Sequence, residues 1–139
     1  MSNALLDTTL STIAAERITG FDQSFELVNQ LLEEYGEDNL AETLYAQIPL
    51  EYPWEIIADL FCILIWSTSD HGKALAETTQ KWLLVGQEIN KIKIALHLDV
   101  YPFADREQME QVLSKIARLY PEVAARCDEL ITSRKELKE

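Results

Sequence analysis

Glycine and proline are sparse: four of each in 139 residues. A chain so poor in turn formers is neither loop-rich nor disordered. Cysteine is scarcer still. Cys62 and Cys127 each sit inside an apolar helical pattern, which does not make a secreted disulfide framework. Two reduced core thiols in a cytosolic protein are expected. The longest unbroken apolar run, residues 60–66, falls far below the ~18 residues a membrane span needs. The first residues, MSNALLDTTLSTIAAERI, lack a basic start and a long apolar core, so no signal peptide is expected.

Catalytic signatures are missing as well. The chain has no Gly-rich phosphate loop and no GxSxG, HExxH, CxxC or EF-hand loop. Only two histidines could act as bases near neutral pH. His71 falls in SDHG, a turn, and His97 on a half-exposed side of its segment. Asp70, His71 and Glu77 match a metal-ligand cluster poorly. The pairs Asp38/Glu42 and Glu51/Glu55 have helical i, i+4 spacing, but no ExxH accompanies them. No enzyme, cofactor or metal site is expected.

The most informative shortage is of positive charge. Residues 1–59 hold twelve carboxylates and one base, Arg17, whereas residues 60–139 hold twelve carboxylates and eleven bases. The net charge of −12 is therefore concentrated in the first half. Such a field repels nucleic acid and anionic lipid and attracts basic proteins. It also serves plain solubility.

What the chain does have is helical periodicity and 47% hydrophobic residues, enough for a core without disulfide or metal. A first helix is predicted over 5–18, with Leu6, Leu10, Ile13, Ala14 and Ile18 on one side. A second covers 22–35, with Phe25, Val28, Leu31, Leu32 and Tyr35 at helical spacing and Gly36 as the stop. A third covers 38–47. Pro49 and Pro53 then break the chain, and Pro53 suits the start of a fourth helix. That helix, WEIIADLFCILIWSTS, is apolar nearly all round and belongs in the middle of a core. Residues 73–86 form a surface helix with Leu75, Trp82, Leu83 and Val85 inward. Asp105, with Gln108 three residues on, has a capping-box pattern and opens a helix striped by Met109, Val112, Leu113, Ile116 and Tyr120. Pro121 starts the last helix, and its basic end suits a helix C-terminus.

KIKIALHLDVY, residues 91–101, fits two periods at once. Ile92, Ile94, Leu96, Leu98 and Val100 alternate as in a half-buried strand. Ile89, Ile92, Leu96 and Val100 also form a helical stripe. A strand must satisfy its backbone groups along its edges, and the chain offers no convincing partner strand. A helix over roughly 87–98 is predicted, with a short hairpin or an edge strand between subunits as the alternative. The predicted class is all-α: one domain over 1–139 with seven or eight short helices, as a compact bundle or as stacked, HEAT-like helical hairpins.

The segment LLEEYGEDNLAETLYAQIPLEYPWE, residues 31–55, interleaves carboxylates with aromatic residues. Acids give long-range attraction to a basic partner, and aromatics supply the buried anchors that dominate interface energy. The candidate contact residues are Glu33, Glu34, Tyr35, Glu37, Asp38, Glu42 and Tyr45. The same pattern fits aromatic core positions with the acids on the wet face of the same helices.

The stretch WLLVGQEINKIKIALHLDVYPFADREQMEQVL, residues 82–113, resembles the all-helical immunity proteins of bacterial polymorphic-toxin systems, the immunity protein 30 family. The likeness lies in the WL pair, the IALHLDVYPF block and the following acid-capped helix. It covers about a quarter of the chain. The resemblance implies a cytosolic protein that binds and neutralises a cognate toxin, and it assigns no contact residues. The leading expectation is thus a non-catalytic inhibitor that holds a basic partner, such as a toxin nuclease, on the acidic-aromatic face. Charge reversal at Glu33, Glu34 and Glu37 is expected to slow association without unfolding. The alternative is a helical-repeat adaptor or homo-oligomer subunit, such as a homodimer, self-associating through residues 92–100 or exposed aromatics. A third reading is a small enzyme using His97 with Asp99.

Overall fold

A computed structural model describes residues 4–49, 51–98 and 101–136. The fold is all-α. Eight α-helices follow one another among the described residues: α1 (Ala4–Glu16), α2 (Asp22–Tyr35), α3 (Leu40–Gln47), α4 (Trp54–Ser67), α5 (Lys73–Val85), α6 (Ile89–Leu96), α7 (Arg106–Leu119) and α8 (Ala124–Glu136). A 3-10 turn at Pro121–Val123 leads into α8. The chain groups into two compact units, Met1–Thr78 and Thr79–Glu139.

In the first unit α1 packs on α2 and α4, and α2 packs on α4. Their apolar stripes supply the buried side chains: Leu6, Leu10 and Ile13 from α1, Val28 and Leu31 from α2, Leu60, Phe61 and Leu64 from α4. Each such side chain stabilises the fold by ~1.5–3 kcal/mol on burial. Thr9 is fully buried on this face, and its hydroxyl donates to the Leu5 carbonyl at 2.7 Å. The sequence leaves α2 without a capping side chain at Phe21. The last residue of α1 supplies the cap instead. Glu16 accepts the Ser24 N–H at 2.8 Å, the Ser24 hydroxyl at 2.7 Å and the Gln23 N–H at 3.3 Å. These bonds hold the Glu16 carboxyl below the usual carboxylate range.

Three expectations fail at helix ends. Ile18 lies beyond α1 and is almost wholly exposed, and Ala14 also faces solvent. Val85, expected inward, is exposed in the last turn of α5. Asp38 and Glu51 lie in the turns before α3 and α4, so neither carboxylate pair shares one helix face.

The second unit has one apolar cluster, which gathers Leu83, Ile92, Ala95, Leu96, Phe103, Met109, Leu113, Ile116, Val123, Cys127 and Leu130. α7 packs on α8. Asp105 caps α7 by accepting the Glu107 N–H at 3.2 Å. Residues 89–96 are helical, and Ile92, Ile94 and Leu96 are all buried. This segment therefore cannot serve as a free self-association edge. Asp99 and Val100 lie outside the described residues. Arg134 is buried and bridges to the chain before α7, donating to the carbonyls of Phe103 (2.6 Å) and Ala104 (2.5 Å). Its guanidinium also lies 4.9 Å from the Tyr101 ring centroid. Burial pushes the Cys127 thiol up to about 11. No described helix is long and apolar enough to cross a membrane.

Candidate partner-binding surface

The expected contact residues occupy the end of α2, the following turn and α3. Glu33 and Glu34 are exposed on the last turn of α2. Carboxylates there meet the negative end of the helix dipole, which costs about 0.3–1 kcal/mol each. α2 carries no base in its last turn to offset them. Gly36 ends the helix with φ +74°, its N–H closing on the Leu32 carbonyl at 2.8 Å. Asp38 is exposed in the turn that follows.

Other residues of the set do structural jobs. Tyr35 is half-buried, and its hydroxyl donates to Gln47 Oε1 at 2.6 Å, joining the ends of α2 and α3. Tyr45 and Glu42 are half-buried on α3. Glu37 accepts the Ser69 N–H at 3.1 and 3.2 Å and the Ser69 hydroxyl at 2.9 Å. This ties the α2–α3 turn to the turn after α4. Glu37 is thus part of the fold as well as of the acidic surface, because its carboxylate accepts the backbone N–H of Ser69 in the turn after α4.

The turn that Glu37 holds is itself tightly built. Asp70 accepts the Gly72 N–H at 3.0 Å and the Ala74 N–H at 2.9 Å, and so caps α5. The Ala74 bond is the main reason its carboxyl stays below the usual range. Thr68 Oγ1 also accepts the Gly72 N–H, at 2.7 Å. Glu37, Asn39, Thr68 and Asp70 help to line a cavity of about 20 Å³ here. That is room for one water and for no substrate. His71, in the same turn, is exposed with φ +55°. His97 Nδ1 lies 2.8 Å from the Lys93 carbonyl, so with Nδ1 protonated it donates to its own helix end. Among the described residues no group of three or more His, Cys, Asp or Glu is placed to hold a metal ion.

One residue of this region escapes the sequence reading. Trp66 belongs to the helix expected to be buried all round, yet it is 66% exposed. Glu55, Asp59, Cys62 and Trp66 form the less buried stripe of α4, at spacings of four, three and four residues. The two acids in that otherwise apolar helix were the available signal for a wet face. Asp59 Oδ2 meets Arg17 Nε at 2.7 Å, an ion contact rather than an aligned hydrogen bond.

Charge divides with the fold. The unit Met1–Thr78 holds fourteen carboxylates and two bases, Arg17 and Lys73, and the unit Thr79–Glu139 holds ten of each. In the second unit Lys91, Lys93, Arg126 and Lys135 lie against Glu88, Glu122, Glu129 and Glu110. The second unit also bears exposed aliphatics at two helix ends. Leu84 and Val85 close α5, and Leu119 closes α7. The Tyr120 hydroxyl donates to the Gly86 carbonyl at 2.7 Å and brings these ends together. Comparison with known proteins finds no matching family model, no matching curated protein and no matching solved structure.

Proposed function

We propose that this chain is a non-catalytic binding protein of inhibitor type, of the kind that immunity proteins exemplify. Its first unit would hold a basic protein partner, such as a toxin nuclease, against the acidic surface around Glu33, Glu34 and Asp38. The observation that carries the reading is the charge partition: the first unit alone accounts for the whole net charge of −12. A field of one sign on one compact unit steers a partner of the opposite sign and makes association fast and salt-sensitive. The exposed acids at the end of α2 support the same reading. They work against the helix dipole, and a cationic partner would remove that cost.

The test begins with capture from a lysate of the source organism at low and high salt. The association rate of the captured protein is then measured against wild type and against Glu33→Lys/Glu34→Lys. The double variant should associate about tenfold more slowly at low salt, with the difference shrinking at high salt. Equal on-rates at low salt overturn the proposal.

A second reading, a homo-oligomer subunit, is favoured by the aliphatic group Leu84, Val85 and Leu119. They are exposed at two helix ends that the Tyr120–Gly86 bond joins, and a contiguous apolar patch there would mark a contact surface. Sedimentation equilibrium decides it. A mass that rises with concentration and returns to the monomer value in Leu119→Glu supports self-association. A constant monomer mass removes it.

A further inference from the structure

We infer that Trp66 is the aromatic anchor of the acidic surface, receiving a lysine or arginine side chain of the basic partner against its ring. The inference rests on the proposed acidic binding surface and adds to it the residue that gives close contact.

An exposed tryptophan is unusual on a helix whose neighbouring residues Ile63, Leu64 and Ile65 are buried. Tryptophan is the residue most enriched among interface anchors. It is also the best aromatic acceptor for a cation. The connection that follows it is tied to acidic residues. One turn beyond Trp66, Ser69 donates twice to Glu37, which holds the Glu37–Asp38 turn beside the end of α4. Asp70 follows Ser69 directly, and Glu33 and Glu34 are exposed on the last turn of the helix that leads into the Glu37 turn.

Aromatic–cation pairing already occurs in the second unit, where Lys91 Nζ lies 5.1 Å from the Trp82 ring centroid and the Arg134 guanidinium 4.9 Å from that of Tyr101. The first unit has only two bases, and one of them, Arg17, is committed to Asp59. Charge complementarity therefore selects a basic protein segment as the occupant. The carboxylates of the first unit attract the cation from a distance, and the ring binds it on contact.

The probe is a labelled nona-arginine peptide, titrated at low and high salt against the full chain. Three proteins are compared: wild type, Trp66→Leu and Glu33→Lys/Glu34→Lys. Trp66→Leu keeps an apolar side chain at an exposed site, and circular dichroism confirms its fold. It should weaken binding about five- to tenfold while leaving the salt dependence as in wild type. The charge-reversed protein should bind more weakly and with a shallower salt dependence. If Trp66→Leu binds like wild type and the charge-reversed protein does not, the anchor is overturned and the acidic surface stands. If wild type fails to bind, or all three bind alike, both proposals fall.

Discussion

Glu37 receives both the backbone N–H and the hydroxyl of Ser69, across 32 residues of sequence. A carboxylate that reads as partner-facing is therefore also a tie between two turns. Glu37→Ala should cost about 0.5–1.5 kcal/mol in urea denaturation, below the range for buried bonds to a charged group because these are exposed to water. Glu33→Lys should leave stability unchanged or raise it by about 0.3 kcal/mol, because it reverses an unfavourable charge at the end of α2. A full charge reversal that includes Glu37 would mix folding with binding, so the binding test keeps to Glu33 and Glu34.

Gly72 admits no side chain. Its φ is +82°, and a Cβ there would lie 2.9 Å from the Ile65 Cα and from both of its γ carbons. Left-handed backbone and overpacking act together, so Gly72→Ala should destabilise by about 2–4 kcal/mol. Gly36 has φ +74° but open space where its Cβ would stand. Gly36→Ala should cost only about 1 kcal/mol, for the backbone alone. Equal urea midpoints for the two variants would contradict this reading of the α4–α5 turn.

Acid should loosen the α1–α2 connection through Glu16. Its carboxyl is held low by Ser24, first by the hydroxyl and then by the backbone N–H. A group whose pKa is lower in the folded chain stabilises it above the unfolded-state value. That contribution fades as pH falls through the folded value. Wild type should therefore lose stability below about pH 4.3, the ordinary glutamate value. Glu16→Gln should be less stable at neutral pH and lose less over the same acid range. Thermal midpoints between pH 7 and pH 3 provide the measurement.

Arg134 donates to two backbone carbonyls from a buried position. Lysine cannot reproduce that planar fork, so Arg134→Lys should cost about 1–3 kcal/mol. Hydrogen exchange at residues 103–105 and on α8 should quicken together, because one side chain holds both. Quickening on α8 alone would show that the loop is held by other contacts.

Much of the helix plan is legible locally. Asp105 predicts the start of α7, Gly36 the end of α2 and Pro53 the start of α4, because each is a nearest-neighbour effect of capping or backbone restriction. The candidate surface is legible only in part. The sequence shows that acids cluster over residues 31–55, but it cannot show that Glu37 is spent on Ser69. Trp66 is missed because an apolar helix hides its one wet stripe, and only the positions of α1 and α2 decide which face of α4 stays open.

The segment 91–101 marks the boundary between the two kinds of information. Its alternation fits period two, and its stripe fits period 3.6. Helix is favoured only because a strand would leave its backbone groups unpaired. The tertiary structure buries Ile92, Ile94 and Leu96 together in a helix. Burial on more than one side makes the strict alternation irrelevant to that choice. The sequence alone determined the helical class, most helix ends and the charge imbalance, since these depend on residues near in the chain. Only the fold decided that Glu37 became a tie to Ser69, 32 residues on, and that Trp66 remained exposed, since those outcomes depend on how helices distant in the chain pack.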